Sequence, residues 1–212
     1  MALLTTVTLE WLSDGCCDVK YLDEWEQVPL NYHASIPLDE TWHIDKYEAS
    51  LGHDATGELF ACAADVLMRY EFYPPDVLTH MSDFDLQGRW LQVGDRIVQR
   101  VHVWQLRGRV VLDAVVMNEV TAVTQADRRC GFTCVTTARH VEQGEWSAYV
   151  AWLPDGQVVL RVSSVSRPVP EEPRRNYRFI RARQQQAHRR GLSYFQEVVQ
   201  ARYRERLTAV SS

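Results

Sequence analysis

Apolar residues recur at two different spacings along this chain, and each spacing predicts a different kind of element. Between residues 59 and 70 they return every three or four positions, which is the period of a helix with one buried face. Asp54 or Thr56 can cap the start of that helix, and the prolines at 74–75 forbid its continuation. The stretch 42–51 before the helix is predicted to be extended.

Short β-type runs separated by turn residues fill the chain from about residue 95 to 165. Turns that contain Gly or Asp-Gly are typical of antiparallel hairpins, whereas parallel units would need helices between the strands. One predicted turn falls at Gln143 and Gly144. The pattern therefore predicts an antiparallel meander of five strands, at residues 96–105, 110–123, 130–140, 145–153 and 157–165.

A second helical period begins after Pro173 and continues almost to the C-terminus. Apolar residues such as Ile180 and Val198 lie on one face of this segment, and Arg and Gln dominate the other. Counted over 175–207 the helix would be ~50 Å long at 1.5 Å per residue, unless Gly191 bends it.

These elements cannot bury their apolar faces separately, so they must pack on one another. We predict an α+β fold of the helix-grip type, in which a curved antiparallel sheet of six or seven strands wraps around the long C-terminal helix. Such a sheet meets the helix poorly at one end and leaves a cavity, which is a usual place for a small ligand. Residues 1–40 are acidic and irregular and are predicted to form an extension packed on a single domain of residues 41–212.

The cavity suggests a first functional hypothesis, a pocket protein for a small apolar or amphipathic ligand held between sheet and helix. In the strand 145–153, alternation places Trp146 and Trp152 on one face, which we expect to point inward. In the strand 96–105, one face carries Arg100, His102 and Trp104, and this face either meets solvent or lines a wet cavity. Ordinary core packing would also account for the aromatic residues. The candidate ligand-binding residues are Arg100, His102, Trp104, Phe132, Trp146, Trp152 and Tyr177.

A second hypothesis is an enzyme of the cyclase or hydrolase kind. His140, Glu142 and Glu145 surround a predicted hairpin turn, where a histidine could exchange a proton near neutral pH and a carboxylate could orient it. The alternative is that these side chains only cap a hairpin in water. The sequence has no nucleophile elbow, phosphate-binding loop or zinc-protease helix, which excludes those enzyme classes.

Composition places the chain among single, medium-sized soluble domains: it has 212 residues, of which 46% are hydrophobic and 24% charged. No apolar run approaches the ~20 residues that a membrane span needs, and the first 15 residues lack the basic start of a secretion signal. We therefore expect a cytoplasmic protein.

Charge is distributed unevenly. Residues 167–212 carry a net charge of +7, although the whole chain carries −5. The basic helix gives a third hypothesis, an interaction surface for an acidic partner, anionic lipid or nucleic acid. The acidic balance of the whole chain makes nucleic acid an unfavourable choice, and a homodimer is left open.

The five cysteines contain no C-x-x-C pair, so neither a zinc site nor any other metal or cofactor is expected. Cys130 and Cys134 would lie ~13 Å apart along one strand, which is too far for a disulfide. We predict free thiols.

Several spaced identities resemble one family. The most specific block is Gly131-Phe132, Thr136, His140 and Gly144-Glu145, followed by Ser164-Val165-Ser166-Arg167-Pro168. Over about residues 29–200 the chain is similar to the bacterial and plant family catalogued as a domain of unknown function, DUF1990. The resemblance implies a small α+β domain, more loosely similar to the START-like lipid-binding superfamily, and carries over no activity. His140 and Glu145 are the titratable pair that matches.

Overall fold

The fold is built on one antiparallel sheet. The computed structural model describes residues 8–12, 19–107 and 109–210. In that part of the chain the sheet has eight strands, in the spatial order β2-β8-β7-β6-β5-β4-β3, and β1 pairs with β5. The strands are β1 Thr8–Trp11, β2 His43–His53, β3 Leu78–Ser82, β4 Arg96–Leu106, β5 Arg109–Ala126, β6 Arg129–Thr136, β7 Glu142–Trp152 and β8 Gln157–Pro168. The helices are α1 Lys20–Glu24, α2 Glu58–Met68, α3 Asp83–Gln87 and α4 Arg174–Val210.

The predicted meander is confirmed, because β4 to β8 pair in chain order. The prediction of a turn at Gln143 and Gly144 is wrong, since both residues lie inside β7 and the connection from β6 is residues 137–141. A side chain at Gly144 would place its Cβ 2.0 Å from the carbonyl oxygen of Val165. This glycine therefore permits close pairing of β7 with β8 and does not mark a turn.

The sequence pattern did not predict four short elements, β1, β3, α1 and α3. β1 and β3 have four and five residues, and α1 and α3 have five each. Segments of this length hold too few repeats for a period of 2 or 3.6 to become visible. The sheet consequently has more strands than the six or seven that we expected.

The start of α2 follows the predicted capping. The carboxylate of Asp54, which is buried, accepts hydrogen bonds from the backbone N–H groups of Thr56, Gly57 and Phe60 at 2.9, 2.8 and 2.9 Å. These bonds satisfy N–H groups that have no partner in the first turn of a helix.

The long C-terminal helix is also confirmed, and α4 continues through Gly191. A Cβ at this position would lie 2.3 Å from Cε1 of Phe72. Gly191 therefore lets the helix approach the core closely. Beyond it, Phe195 and Val199 are fully buried against the inner face of the sheet and α2.

The outer face of the sheet is covered by the N-terminal residues. Tyr21, Leu22 and Trp25 of the α1 region pack against the outward side chains of β4 and β5. The boundary between an extension and a domain at residue 40 stays a prediction.

Three cysteines lie among the described residues, Cys62, Cys130 and Cys134, and all three are free and buried. Cys16 and Cys17 fall outside the described residues, as does Gly108 between the strands predicted at 96–105 and 110–123. None of the described helices has the length and apolar character needed to cross a membrane.

Candidate functional site

A cavity of about 180 Å³, partly open to solvent, lies between the inner face of the sheet and the N-terminal half of α4. Strands β4 to β8 form its floor and α4 covers it, while Tyr70 and Tyr73, just after α2, close one side. Its position is the one that the helix-grip prediction assigned to a ligand.

The cavity exists because side chains of different size lie along α4. In the C-terminal half, Phe195 packs against Phe72 with ring centroids 6.1 Å apart, and the space is filled. In the N-terminal half, short side chains line the unfilled space, among them Ala187 of α4 and Val101 and Val116 of the strands. A helix at fixed height above a sheet leaves unfilled space where the facing side chains are short.

Most of the cavity wall is apolar and aromatic. The Tyr73 ring lies 6.5 Å from that of Tyr70 and 6.4 Å from that of Trp146, so three aromatic rings form one continuous wall. Burial raises the pKa of both tyrosines, which remain neutral at physiological pH. The Tyr70 hydroxyl accepts a hydrogen bond from the side chain of Gln99.

Two titratable residues stand at the polar end of the cavity. His140 Nδ1 accepts a hydrogen bond from the backbone N–H of Glu142 at 2.9 Å, so the ring proton is on Nε2. Burial lowers the pKa of His140 to about 4 and raises the pKa of Glu142 to about 7. At neutral pH a neutral imidazole and a partly protonated carboxyl group therefore border the same cavity.

A chain of hydrogen bonds fixes Glu142 to α4. Gln184 Nε2 donates to the Ser166 hydroxyl at 2.7 Å, and this hydroxyl donates to Glu142 Oε1 at 3.3 Å. Arg181 donates to Gln184 at 2.6 Å and forms a salt bridge with Asp45 of β2. These bonds hold the first turns of α4 over β2, β7 and β8. They also keep the Arg181 guanidinium paired with the Asp45 carboxylate.

The family model described as "Domain of unknown function (DUF1990)" matches residues 26–194. The chain belongs to the DUF1990 family. The resemblance seen in the sequence is thereby confirmed. No curated protein matches the sequence at a significant level.

Solved structures similar to this DUF1990 chain include a norcoclaurine synthase point mutant from Thalictrum flavum, in complex with a transition state analogue. The identity is 10%, the TM-score 0.50, and the match covers 80% of this chain and 99% of the synthase. A hypothetical protein from Helicobacter pylori matches at 13% identity and TM-score 0.47, over 76% and 89% of the two chains. The protein Ara h 8.0201 matches at 10% identity and TM-score 0.46, over 76% and 99%. The likeness to the synthase shows the helix-grip fold and nothing more.

Part of the block that carried the family resemblance, from Thr136 to Glu145, lies at the polar end of the cavity. The Thr136 hydroxyl accepts the backbone N–H of Gly144 at 2.8 Å, which ties the end of β6 to the start of β7. His140 and Glu142 lie between Thr136 and Gly144 in the chain, and both border the cavity. Glu145 also borders it, but its partners in the sheet, Val135 and Val165, belong to a cluster on the outer face.

Two of the predicted ligand-binding residues lie on the wrong face of the sheet. In β4, Ile97 belongs to the inner core and Val98 to the outer cluster. Arg100 shares the face of Val98 and points outward, where it forms salt bridges with Glu10 at 2.6 Å and Asp113 at 3.3 Å. Trp104 is 49% exposed, and it is not among the described residues that line the cavity. His102 borders the cavity, but its Nδ1 is hydrogen-bonded to Asp113 Oδ1 at 2.7 Å.

The other aromatic predictions divide between cavity and core. Trp146 lines the cavity as expected. Phe132 and Trp152 face inward but lie in the filled core, where Trp152 stacks on Phe60 and donates to the carbonyl of Asp54 at 3.0 Å. Tyr177 is half-buried, and it is not among the described residues that line the cavity.

Sequence reasoning did not assign several polar residues to the cavity, and among them Ser164 and His188 are 3% and 4% exposed. His188 follows Ile180 and Ala187 along the apolar stripe of α4, so its position on the buried face was available from the helical period. Among the described residues there is no group of three His, Cys, Asp or Glu side chains that could hold a metal ion.

Proposed function

We propose that this protein binds a small, largely apolar ligand in the cavity between the sheet and the N-terminal half of α4. The observation that carries the proposal is a partly open cavity of about 180 Å³ with an aromatic and aliphatic wall. Protein interiors are normally packed to the density of organic crystals, so a space of this size inside a domain favours a binding role.

The size of the cavity sets the size of the ligand. A dry cavity of ~150 Å³ is known to accept benzene. The present cavity therefore suits a molecule with about one aromatic ring, and its open side leaves room for a substituent. Trp146, Tyr73 and Phe179 offer ring faces and edges to such a molecule.

The test uses ethylbenzene as the probe and measures its dissociation constant by ligand-observed NMR. Wild-type protein should bind ethylbenzene saturably. Ala187→Phe places a ring inside the cavity and should weaken binding at least tenfold. Ala182→Phe makes the same change on the exposed face of the same helix and should bind as wild type does.

Circular dichroism and thermal unfolding show whether Ala187→Phe remains folded, and Ala187→Leu replaces it where it does not. Lack of saturable binding by the wild type contradicts the proposal. Equal binding by both phenylalanine variants also contradicts it, because the ligand would then lie elsewhere.

A second candidate function is general acid–base catalysis in the same cavity. It is supported by the neutral His140 ring and the Glu142 carboxyl, which border the same cavity and whose pKa values are shifted in opposite directions, as is typical of acid–base pairs. Glu145, on the outer face, is less suited to this role. Once a substrate is found, the rate for His140→Gln measures the role of the imidazole, and an unchanged rate rejects it.

The third hypothesis, an interaction surface on the Arg-rich helix, receives less support. Some of these arginines form salt bridges with carboxylates of the same domain, so part of the basic face is already paired: Arg181 with Asp45, Arg190 with Asp76 and Arg202 with Glu71. Salt-sensitive retention on heparin would favour this role over ligand binding.

A further inference from the structure

Polar atoms without a partner are concentrated around the cavity. In the described part of the chain, five buried side-chain nitrogen or oxygen atoms have no hydrogen-bond partner within the protein. Three of them belong to residues that line the cavity: Trp146 Nε1, Ser164 Oγ and His188 Nδ1. Buried polar groups in folded proteins are nearly always hydrogen-bonded, so three such atoms around one space indicate a ligand group that satisfies them.

The three atoms come from two facing surfaces. Trp146 of β7 and Ser164 of β8 are direct partners in the sheet and share its inner face. His188 lies on α4, and its ring contacts that of Tyr47 edge-on at 5.4 Å. All three residues therefore line the same space between sheet and helix.

The hydrogen-bonding capacity of these atoms defines the group that fits. An indole N–H only donates, and a serine hydroxyl donates or accepts. An oxygen with lone pairs, in a carbonyl or hydroxyl group, can accept from both. His188 is neutral, because burial lowers its pKa to about 4, so it adds no charge.

Two arginines near the cavity, Arg181 and Arg183, are hydrogen-bonded to other side chains. The Arg181 guanidinium is bound to Asp45 and Gln184, so it does not offer a free cation to an anionic ligand. Arg183 is exposed at the border and donates to Gln186 at 3.1 Å. Burial of an unpaired carboxylate or ammonium is far more costly than burial of a carbonyl.

We propose that the ligand carries an uncharged carbonyl or hydroxyl oxygen on an apolar, ring-sized body, and that this oxygen accepts hydrogen bonds from Trp146 Nε1 and the Ser164 hydroxyl, beside His188. This inference rests on the proposed function and specifies the ligand class. It assigns Trp146 and Ser164 as binding residues that distinguish a ketone or an alcohol from a hydrocarbon.

The test compares five probes of similar size at pH 7: ethylbenzene, acetophenone, 1-phenylethanol, benzoate and benzylamine. Acetophenone or 1-phenylethanol should bind wild-type protein about tenfold more tightly than ethylbenzene, which is the gain expected from one or two hydrogen bonds. Ser164→Ala should remove most of this preference and leave the affinity for ethylbenzene unchanged. Ser163→Ala, one residue earlier on the opposite face of β8, should keep the preference.

Trp146→Phe retains a ring and removes the N–H, and it provides a second variant should Ser164→Ala be unstable. Equal binding of acetophenone, 1-phenylethanol and ethylbenzene overturns the inference and leaves the proposed function in place. Tightest binding of benzoate or benzylamine overturns it as well, in favour of a charged ligand. When none of the five probes binds, the proposed function fails together with the inference.

Discussion

The Glu142 carboxyl group should make the stability of this protein fall as the pH rises. Burial raises its pKa from an ordinary 4.5 to about 7, against the opposing effects of the Ser166 hydrogen bond and the Arg181 charge. The folded state therefore holds this proton more tightly than the unfolded chain does. The stabilising contribution is fully present below pH 4.5 and is lost as the pH rises through 7.

The size of this effect follows from the two pKa values. A tenfold change in proton affinity is worth about 1.4 kcal/mol, so Glu142 should cost the folded state about 2 to 3 kcal/mol between pH 5 and pH 8. Glu142→Gln removes the titration and keeps an oxygen that can accept from Ser166. The variant should therefore gain about 2 to 3 kcal/mol in free energy of unfolding, relative to wild type, over the same pH range.

Urea denaturation, followed by tryptophan fluorescence at several pH values from 5 to 8, measures this difference. His140 and His188 titrate in both proteins, so their contributions cancel when the two free energies are subtracted. Glu145→Gln removes a carboxylate from the outer face of the same strand and controls for the loss of one charge. A difference between Glu142→Gln and wild type that stays constant with pH, or that falls as the pH rises, would refute the reasoning.

Two further substitutions test the packing that creates the site. Gly191→Ala should destabilise the protein by about 1 to 3 kcal/mol although alanine favours helices, because its Cβ would overlap the Phe72 ring. Thermal unfolding measures the loss, with the exposed substitution Ser193→Ala as the control. A gain in stability would contradict the close contact between Gly191 and Phe72. Asp54→Ala should cost about 1 to 2 kcal/mol by removing the cap of α2, whereas Asp76→Ala, in an exposed ion pair, should cost less than about 1 kcal/mol. Equal losses in the two aspartate variants would argue against the capping role.

The sequence by itself determined the local elements and their order. The helix after Asp54, the meander from Arg96 and the final helix each repeat a period over ten or more residues. Periods of this kind depend on neighbours close in sequence, so they can be read without the fold. The alternation along the strand also correctly predicted that Trp146 and Trp152 both point inward.

Tertiary structure decided which inward residues meet the cavity. Trp146 and Trp152 share a face of β7, yet only Trp146 lies at the unfilled end. Periodicity gives the direction of a side chain and carries no information about the size of what packs opposite. The facing residues come from α2 and α4, which are distant in the chain.

Long-range contacts also decided the role of the polar residues. Arg100 was predicted to contact a ligand because it shares a strand face with His102 and Trp104. Its actual partner, Glu10, lies 90 residues earlier in the chain, so the sequence pattern did not reveal the pairing. Ser164 belongs to the block that resembles the family, but its place opposite Trp146 depends on the register of β7 with β8. The sequence thus determined elements whose period is local, whereas the cavity and its polar group depend on how distant segments fit together in space.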